Sequence, residues 1–303
     1  MDGVAIALVS CMLMATEAVF TKILTSHFTP LSLAAMTSFT ATIIVIFLLE
    51  IKHKACEVTS LTRHDALMML TIGLLSGVLA QVLYVSGVLY STATNAVLLT
   101  RLNSLLIAVM GVVFLKEKFT KHHIVGSIFM VLGVLLIITK NFTEIFTPQP
   151  GDIFLLGTAI CWASSNIVMK KHLTKIPPEV LVLGRHVVAA VTLTFFVFIA
   201  GTRPIESEGV AYFTGYVIIT VLIGQYLWYK ALEHTTASNV ALTSLTIPLL
   251  GVLYANVFLG ETLFDYQILG GVSIFIGLAV IEIHMSTLKK IEHRLKSIHF
   301  LHH

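Results

Sequence analysis

Gln81, Thr92-Ala93-Thr94-Asn95, Phe114-Leu115-Lys116-Glu117, Gly126 and Gly133 return 144 residues later as Gln225, Thr236-Ala237-Ser238-Asn239, Phe258-Leu259-Gly260-Glu261, Gly270 and Gly277. The register holds without a gap across three consecutive apolar runs. Apolar matches such as Leu98 with Leu242 arise easily between membrane helices, but polar and glycine coincidences in a single register do not. The chain therefore reads as a duplication. Upstream the match is looser, with Asp152 and the stretch from Cys161 to Leu173 resembling the region from Met12 to Leu24.

The runs on either side of this repeat set the class. Of 303 residues, 56% are hydrophobic and only 12% charged, more apolar surface than a soluble core of this size can bury. A spanning helix needs roughly 20 mostly apolar residues, because every backbone polar group must be paired within the segment. Ten runs qualify: Val4 to Leu24, Leu31 to Leu49, Ala66 to Tyr90, Thr94 to Phe114, His122 to Thr139, Asp152 to His172, Glu179 to Ala200, Val210 to Leu232, Ala237 to Phe258 and Gln267 to Met285. Thr29-Pro30, the 147–151 cluster, Pro177-Pro178 and Thr202-Arg203-Pro204 separate them, since proline removes an amide donor and restricts the residue before it. The expected fold is an all-α integral membrane protein of ten transmembrane helices. It divides into a first five-helix repeat at 1–141, a second at 151–285 and a basic amphipathic tail at 286–303.

Charge sets the expected topology. With the N-terminus cytoplasmic, one side receives Lys52, Lys54, Arg63, Lys116, Lys118, Lys121, Lys170, Lys171, Lys175, Lys230, Lys289, Lys290, Arg294 and Lys296. The other side receives only Lys22, Lys140 and Arg203. That asymmetry follows the positive-inside rule and puts both termini in the cytoplasm. The net charge of +3 is thus a topological signal and gives no reason to expect nucleic acid. Five helices per unit is an odd number, so the second copy enters the membrane inverted. Inverted repeats are the architecture of alternating-access transporters, with a site near the midplane between the halves.

Cys11, Cys56 and Cys161 are too few and too scattered for a disulfide framework. The first apolar run lacks a basic leader and a small-residue cleavage site, and reads as a retained helix. No Walker-type phosphate loop, HExxH zinc motif or GxSxG elbow occurs, which argues against ATP drive and against an intramembrane enzyme. No cofactor or metal is expected. The tail puts Leu288, Ile291, Leu295 and Ile298 on one side and should lie along the cytoplasmic membrane surface.

Asn239-Val240-Ala241-Leu242, Pro248-Leu249-Leu250, Leu259-Gly260-Glu261, Gln267-Ile268-Leu269-Gly270-Gly271 and Gly277 resemble the C-terminal half of an EamA-type member of the drug/metabolite transporter superfamily. Asn95, Glu117, Gly126 and Gly133 form the weaker first copy. Trp162-Ala163 with Asn166, Lys170 and Lys171 resembles the sixth-helix pattern, and Arg185 stands where the seventh helix often has an arginine. The resemblance implies carriage of amino acids, other small metabolites or amphiphilic drugs, commonly outward, through a cavity formed mainly by helices 1, 3, 4, 6, 8 and 9. It also implies a cell inner (plasma) membrane location. The halves depart from each other where Ser104 faces Pro248 and Lys116 faces Gly260, and the first half has no counterpart of Arg185.

The polar residues within the spans point to the same region on their own. An ionisable side chain at the centre of a membrane helix costs about 2.5 to 3.5 kcal/mol to insert and is kept where it meets a partner or a water-filled cavity. Glu17, Arg101 and Arg185 fit that description. At about 1.5 Å of rise per residue, Glu17 and Arg101 share one depth in the outer half, and Asn166 and Arg185 share another in the inner half. Glu17 and Arg101 are expected to pair or to compete for one solute, and the whole set suits an amphoteric solute such as an amino acid. A structural salt bridge that merely orients helices is the competing reading for each arginine. Gln81 and Tyr84, Asn103, Trp162, and Gln225 and Tyr229 complete the substrate-binding candidates, with interhelical hydrogen bonding as their alternative role.

Asn95 and Asn239 are expected to cap helix starts, and Glu117 and Glu261 to make turn contacts. Gly73, Gly77, Gly126, Gly133, Gly270, Gly271 and Gly277 are expected to permit close helix approach, and Pro248 to kink the ninth helix. The function that follows is a secondary transporter of small organic metabolites, amino acids or related compounds, working as an exporter. Glu17 is the candidate proton carrier, with facilitated diffusion the alternative to proton coupling. Drug or nucleotide-sugar transport on the same fold is the alternative substrate class. Oligomeric state is not legible.

Overall fold

The structure, a computed structural model, describes residues 3–51, 62–116, 121–139, 149–172, 176, 178–201 and 207–281. Apart from short turns and connections the described residues are helical, with no strand among them. In chain order the helices are α1 (Gly3–Met14 continuing as Glu17–His27), α2 (Pro30–Ile51), α3 (Arg63–Tyr90), α4 (Ala93–Leu99 continuing as Leu102–Leu115) and α5 (Lys121–Thr139). They are followed by α6 (Pro150–His172), α7 (Pro178–Ala200), α8 (Ser207–His234), α9 (Ala237–Ser244 continuing as Thr246–Leu259) and α10 (Asp265–Ile281). Nine are long and apolar enough to cross a membrane, and the described part of α10 is shorter. These are the ten expected elements, with ends displaced by a few residues.

The ends form for local reasons. Pro30, Pro150 and Pro178 each open a helix, where the missing amide would have had no intrahelical partner. Thr62 and Asp65 cap α3 reciprocally: the Asp65 amide donates to Thr62 Oγ1 at 3.2 Å and the Thr62 amide to Asp65 Oδ2 at 3.0 Å. Asn95 and Asn239 do not cap their helices. Thr92 and Thr236 do, accepting from the Asn95 and Asn239 amides at 3.0 and 3.3 Å. A residue three positions inside a helix supplies the amide that is capped, so each asparagine side chain is left for other work.

Large apolar side chains face outward, with Phe198 87%, Val191 69% and Val113 65% exposed. A water-soluble surface does not carry such a belt, whereas hydrocarbon accommodates it. The interior relies on small residues for close approach. A Cβ added to Gly133 would lie 2.5 Å from the Gly270 carbonyl oxygen, and one added to Gly126 would lie 2.7 Å from that of Gly277. The α5–α10 contact therefore depends on glycine on both sides. It is also reciprocal, because the 144-residue shift exchanges Gly126 with Gly270 and Gly133 with Gly277.

Backbone geometry repeats in the same register. A π-helical segment interrupts α3 at Gly73–Leu79 and α8 at Val217–Gly224. The residue after α4, Lys116, and the residue after α9, Gly260, are both left-handed, with φ of 56° and 65°. At the end of each π segment a hydroxyl from a neighbouring helix reaches the backbone: Thr158 Oγ1 of α6 to the Ala80 carbonyl at 3.4 Å, and Ser10 Oγ of α1 to the Gly224 carbonyl at 2.8 Å. A π-bulge disturbs the regular pairing of backbone groups; Ser10 supplies a donor there, while the single Thr158 hydroxyl hydrogen is shared with the Phe154 carbonyl of its own helix at 3.0 Å.

Candidate functional site

Three helices are broken, and the breaks converge. In α1 the break lies at Ala15–Thr16, where the Thr16 amide tightens onto the Leu13 carbonyl at 3.2 Å and its hydroxyl bonds the same oxygen at 2.6 Å. In α4 the Arg101 and Asn103 amides bond the carbonyls three residues back, and Thr100 Oγ1 takes the Ala96 carbonyl at 2.6 Å. Threonine back-bonding of this kind bends helices. In α9 the break falls at Leu245, whose amide bonds Leu242 at 3.2 Å. Pro248 lies beyond it, and α4 breaks at the equivalent position with Ser104 in place of proline. The break thus belongs to the repeat and not to the proline.

Ala15, Glu17, Thr100, Arg101 and Ile247, all at these breaks, line a cavity of about 220 Å³ together with Tyr84, Asn103, Ser104 and Trp162. A second cavity of about 240 Å³ is lined by Asn103, Trp162, Asn166, Arg185, Ser76, Ser165 and Met169, among others. Asn103 and Trp162 belong to both and mark the junction. The Tyr84 and Trp162 rings lie 5.7 Å apart at 36°, forming an aromatic wall.

The sequence-derived candidates separate as follows. Glu17, Tyr84, Arg101, Asn103 and Trp162 meet in the first cavity; Asn166 and Arg185 join the shared pair in the second. Gln81 and Gln225 line neither. Three residues of α-helix amount to about 60° of rotation and about 4.5 Å of rise, enough to separate Gln81 from Tyr84. The Tyr229 side chain lies outside the described ones, as do Glu117 and the tail. Sequence reading missed Thr100, Ser104, Ser76 and Ser165, since lone hydroxyls are common in membrane helices and carry no distinguishing signal. It also missed buried Tyr216, which lies within electrostatic reach of Glu17.

Electrostatically the first cavity is unusual. Both arginines act on the Glu17 carboxylate. Yet no direct hydrogen bond or ion pair joins Glu17 to Arg101 among the described residues, so the expected pairing is not direct. Arg101 Nε and Asn103 Oδ1 are buried without a hydrogen-bond partner. Asn166 Nδ2 donates to the Trp162 carbonyl at 2.8 Å, which fixes its amide, and Arg185 Nη2 lies 2.9 Å from His186 Nε2. An opposed carboxylate and guanidinium, with an orphan donor and acceptor beside them, can bind a solute bearing both charges. The described residues contain no cluster of metal-ligating side chains.

A separate polar group at the α3–α4 turn is fully engaged. Asp152, 1% exposed, accepts from Ser91 Oγ at 2.5 Å, Asn95 Nδ2 at 3.0 Å and the Gln149 amide at 3.2 Å. Gln267 Nε2 donates to Asn95 Oδ1 at 2.8 Å. Glu261 caps α4 from the α9–α10 turn, accepting from the Ala93 and Thr94 amides at 2.7 and 3.0 Å. Lys22 Nζ donates to the Val88 and Ser91 carbonyls at 2.7 and 2.5 Å, closing the end of α3.

Ten apolar helices, nine of them long enough to cross a membrane over their described residues, define a multi-pass membrane protein. The chain belongs to the EamA-like transporter family, whose model matches residues 1–139 and 149–283. It is 24% identical over 268 residues to the Bacillus subtilis protein named uncharacterized transporter YyaM, covering 84% of this chain and 85% of that one. It is 26% identical over 187 residues to a Salmonella typhimurium protein named "Probable amino-acid metabolite efflux pump", covering 56% of this chain and 61% of that one. A solved crystal structure superposes with a TM-score of 0.64 at 20% identity, over 94% of this chain and 98% of its own, and shares the fold.

Proposed function

We propose that this protein is a secondary transporter that exports small organic metabolites, amino acids or related compounds, across the cell inner (plasma) membrane by alternating access. The observation that carries the reading is the first cavity. Glu17 and Arg101 present opposite charges there without neutralising each other directly, and the broken backbones of α1, α4 and α9 surround them. Discontinuous helices around a buried polar site are a recurring device of secondary transporters.

The two-repeat organisation, 1–141 and 151–285 with the tail at 286–303, is supported by the π segments, left-handed ends and threonine caps that recur at one spacing. So is inversion of the second repeat, since five helices per unit reverse the direction of entry. The lysine and arginine distribution supports cytoplasmic termini. The substrate class is supported by size as well as charge. Each cavity falls below the roughly 300–1,000 Å³ of drug-sized pockets, which favours a small metabolite over a drug or nucleotide sugar. The name of the Salmonella relative points the same way, outward direction included. Glu17 is the proton-coupling candidate, and the reading involves no enzymatic step.

The test is uptake of radiolabelled amino acids and related metabolites into proteoliposomes, with and without a pH gradient, for wild type and Glu17→Gln. Saturable uptake that the gradient stimulates only in wild type is the expected result. Gradient-independent uptake by both would discard the coupling role of Glu17. A folded protein that moves no member of the panel would overturn the amino-acid reading.

A further inference from the structure

The two ends of the bundle differ, and the repeat allows them to be compared position by position. In the first half of α4 every residue from Ala93 to Thr100 is buried. In the stretch 144 residues later, Ala237 to Ser244, only Val240 and Thr243 are buried among the described side chains. Packing accounts for the contrast. The first half of α4 lies against the second half of α9 and against α1, α3 and α6. The first half of α9 lies against α1 and the end of α8, and makes no comparable contact with the second half of α4 or with α6 among the described residues. The bundle is closed at the α3–α4 turn and parted at the α8–α9 turn.

Side chains hold the closed end together. Val97 and Thr100 line the first cavity, and Asn95 stands about 7.5 Å of rise beyond Thr100. Asn95 Nδ2 donates to Asp152 of α6, and its Oδ1 accepts from Gln267 of α10, so three helices are tied directly over the cavity. At the parted end the counterpart of Asn95 is Asn239, whose Nδ2 donates to Thr235 Oγ1 at 2.9 Å and so stays within the α8–α9 turn.

The counterpart of Asp152 follows from packing. A Cβ added to Gly151 would lie 2.5 Å from the Ser91 nitrogen, one added to Gly3 would lie 2.8 Å from the Thr235 Cβ, and Ser91 and Thr235 are 144 residues apart. The Thr158 and Ser10 hydroxyls likewise reach the Ala80 and Gly224 carbonyls, again 144 residues apart. Both pairs set α1 against α6 at a shift of 148 residues, which puts Val4 in the place of Asp152. A valine side chain can accept no hydrogen bond.

We propose that Asp152 is a one-sided latch. With Asn95 and Gln267 it holds the α3–α4 end of the path shut, and because its repeat mate is Val4 the path rests open at the α8–α9 end. This rests on the reading of the cavities as a transport path and adds the residue that sets its resting direction.

Sided alkylation tests the latch without any solute. Ser104→Cys places a single thiol in the first cavity of a background carrying Cys11→Ala, Cys56→Ala and Cys161→Ala. A membrane-impermeant maleimide is applied to right-side-out and inverted vesicles, and His234→Cys in parallel samples marks the side that the α8–α9 turn faces. The cavity thiol should react at least about 10-fold faster from that side, since a minor conformation is populated at about 0.1–10%. Asp152→Val, which copies the opposite end, should let the reagent in from the α3–α4 side at least about 3-fold faster, because it removes the difference between the two ends. Val4→Asp leaves the latch intact and offers Asn239 an acceptor, and should slow labelling from the α8–α9 side by about 3-fold. Unfolding temperatures confirm that each variant is folded. Equal labelling of the parent from both sides, faster labelling from the α3–α4 side, or an unchanged pattern in folded Asp152→Val or Val4→Asp would overturn the proposal. Failure of every solute in the uptake panel would overturn the amino-acid reading alone, since the labelling involves no solute.

Discussion

The α3–α4 turn and the central cavity both hold buried polar side chains, but only one of them settles its own accounts. At the turn, Asp152 accepts three hydrogen bonds, Asn95 links it to Gln267, and Glu261 and Lys22 complete the buried helix ends. In the cavity, Arg101 Nε and Asn103 Oδ1 are buried and unmatched, and Glu17 faces Arg101 without a direct bond. A buried unpaired polar group costs about 1–3 kcal/mol, so leaving several together is a tolerable loss only where something else completes them. Pairing, rather than polarity, separates the residues that build this fold from those available to a solute.

Breaking the clasp should have the largest effect. Asp152→Ala orphans Ser91 Oγ, Asn95 Nδ2 and the Gln149 amide, and should lower stability by about 2–5 kcal/mol, read as a fall in unfolding temperature in detergent micelles. An unfolding temperature equal to wild type would show that the clasp is ornamental. The cavity should respond in the opposite sense. Asn103→Leu removes a buried acceptor that has no partner, so stability should hold or rise by about 1 kcal/mol while uptake falls about 10-fold. A matching drop in both would assign Asn103 to the structural class. The smallest effect concerns the repeat. Lys116 occupies at φ 56° the left-handed position that Gly260 fills in the second half, and Lys116→Gly should stabilise by about 0.5–1 kcal/mol with uptake unchanged.

Much of the fold was legible because hydropathy and proline act locally. Ten runs, their prolines and the 144-residue register need no knowledge of packing, and the glycines that bring α5 against α10 follow from that register. The breaks were not legible. In α1 and α4 they arise from threonine hydroxyls that bond their own backbone, which any membrane threonine can do, and Pro248 drew attention to a site three residues away from the break itself. For the site, the cost of ionisable groups in hydrocarbon singles out Glu17, Arg101 and Arg185, and the cavities group Glu17 with Arg101 and Asn166 with Arg185. What rise alone could not supply was azimuth. Gln81 and Tyr84 looked equivalent, yet only Tyr84 reaches the cavity. Asn95 reads as a helix cap and Asn103 as a site residue; the structure instead gives the Asn95 amide to Asp152, while Asn103 Oδ1 has no partner.

The most direct test compares Arg101→Gln with wild type in two assays on the same preparation: unfolding temperature in micelles, and saturable uptake of the labelled amino-acid panel in proteoliposomes. The account predicts an unfolding temperature close to that of wild type, because Arg101 makes no direct hydrogen bond or ion pair with Glu17, with uptake reduced by about 100-fold, as expected when a charged contact with the solute is lost. Wild-type uptake by Arg101→Gln, or a loss of uptake that merely follows a large loss of stability, would contradict it.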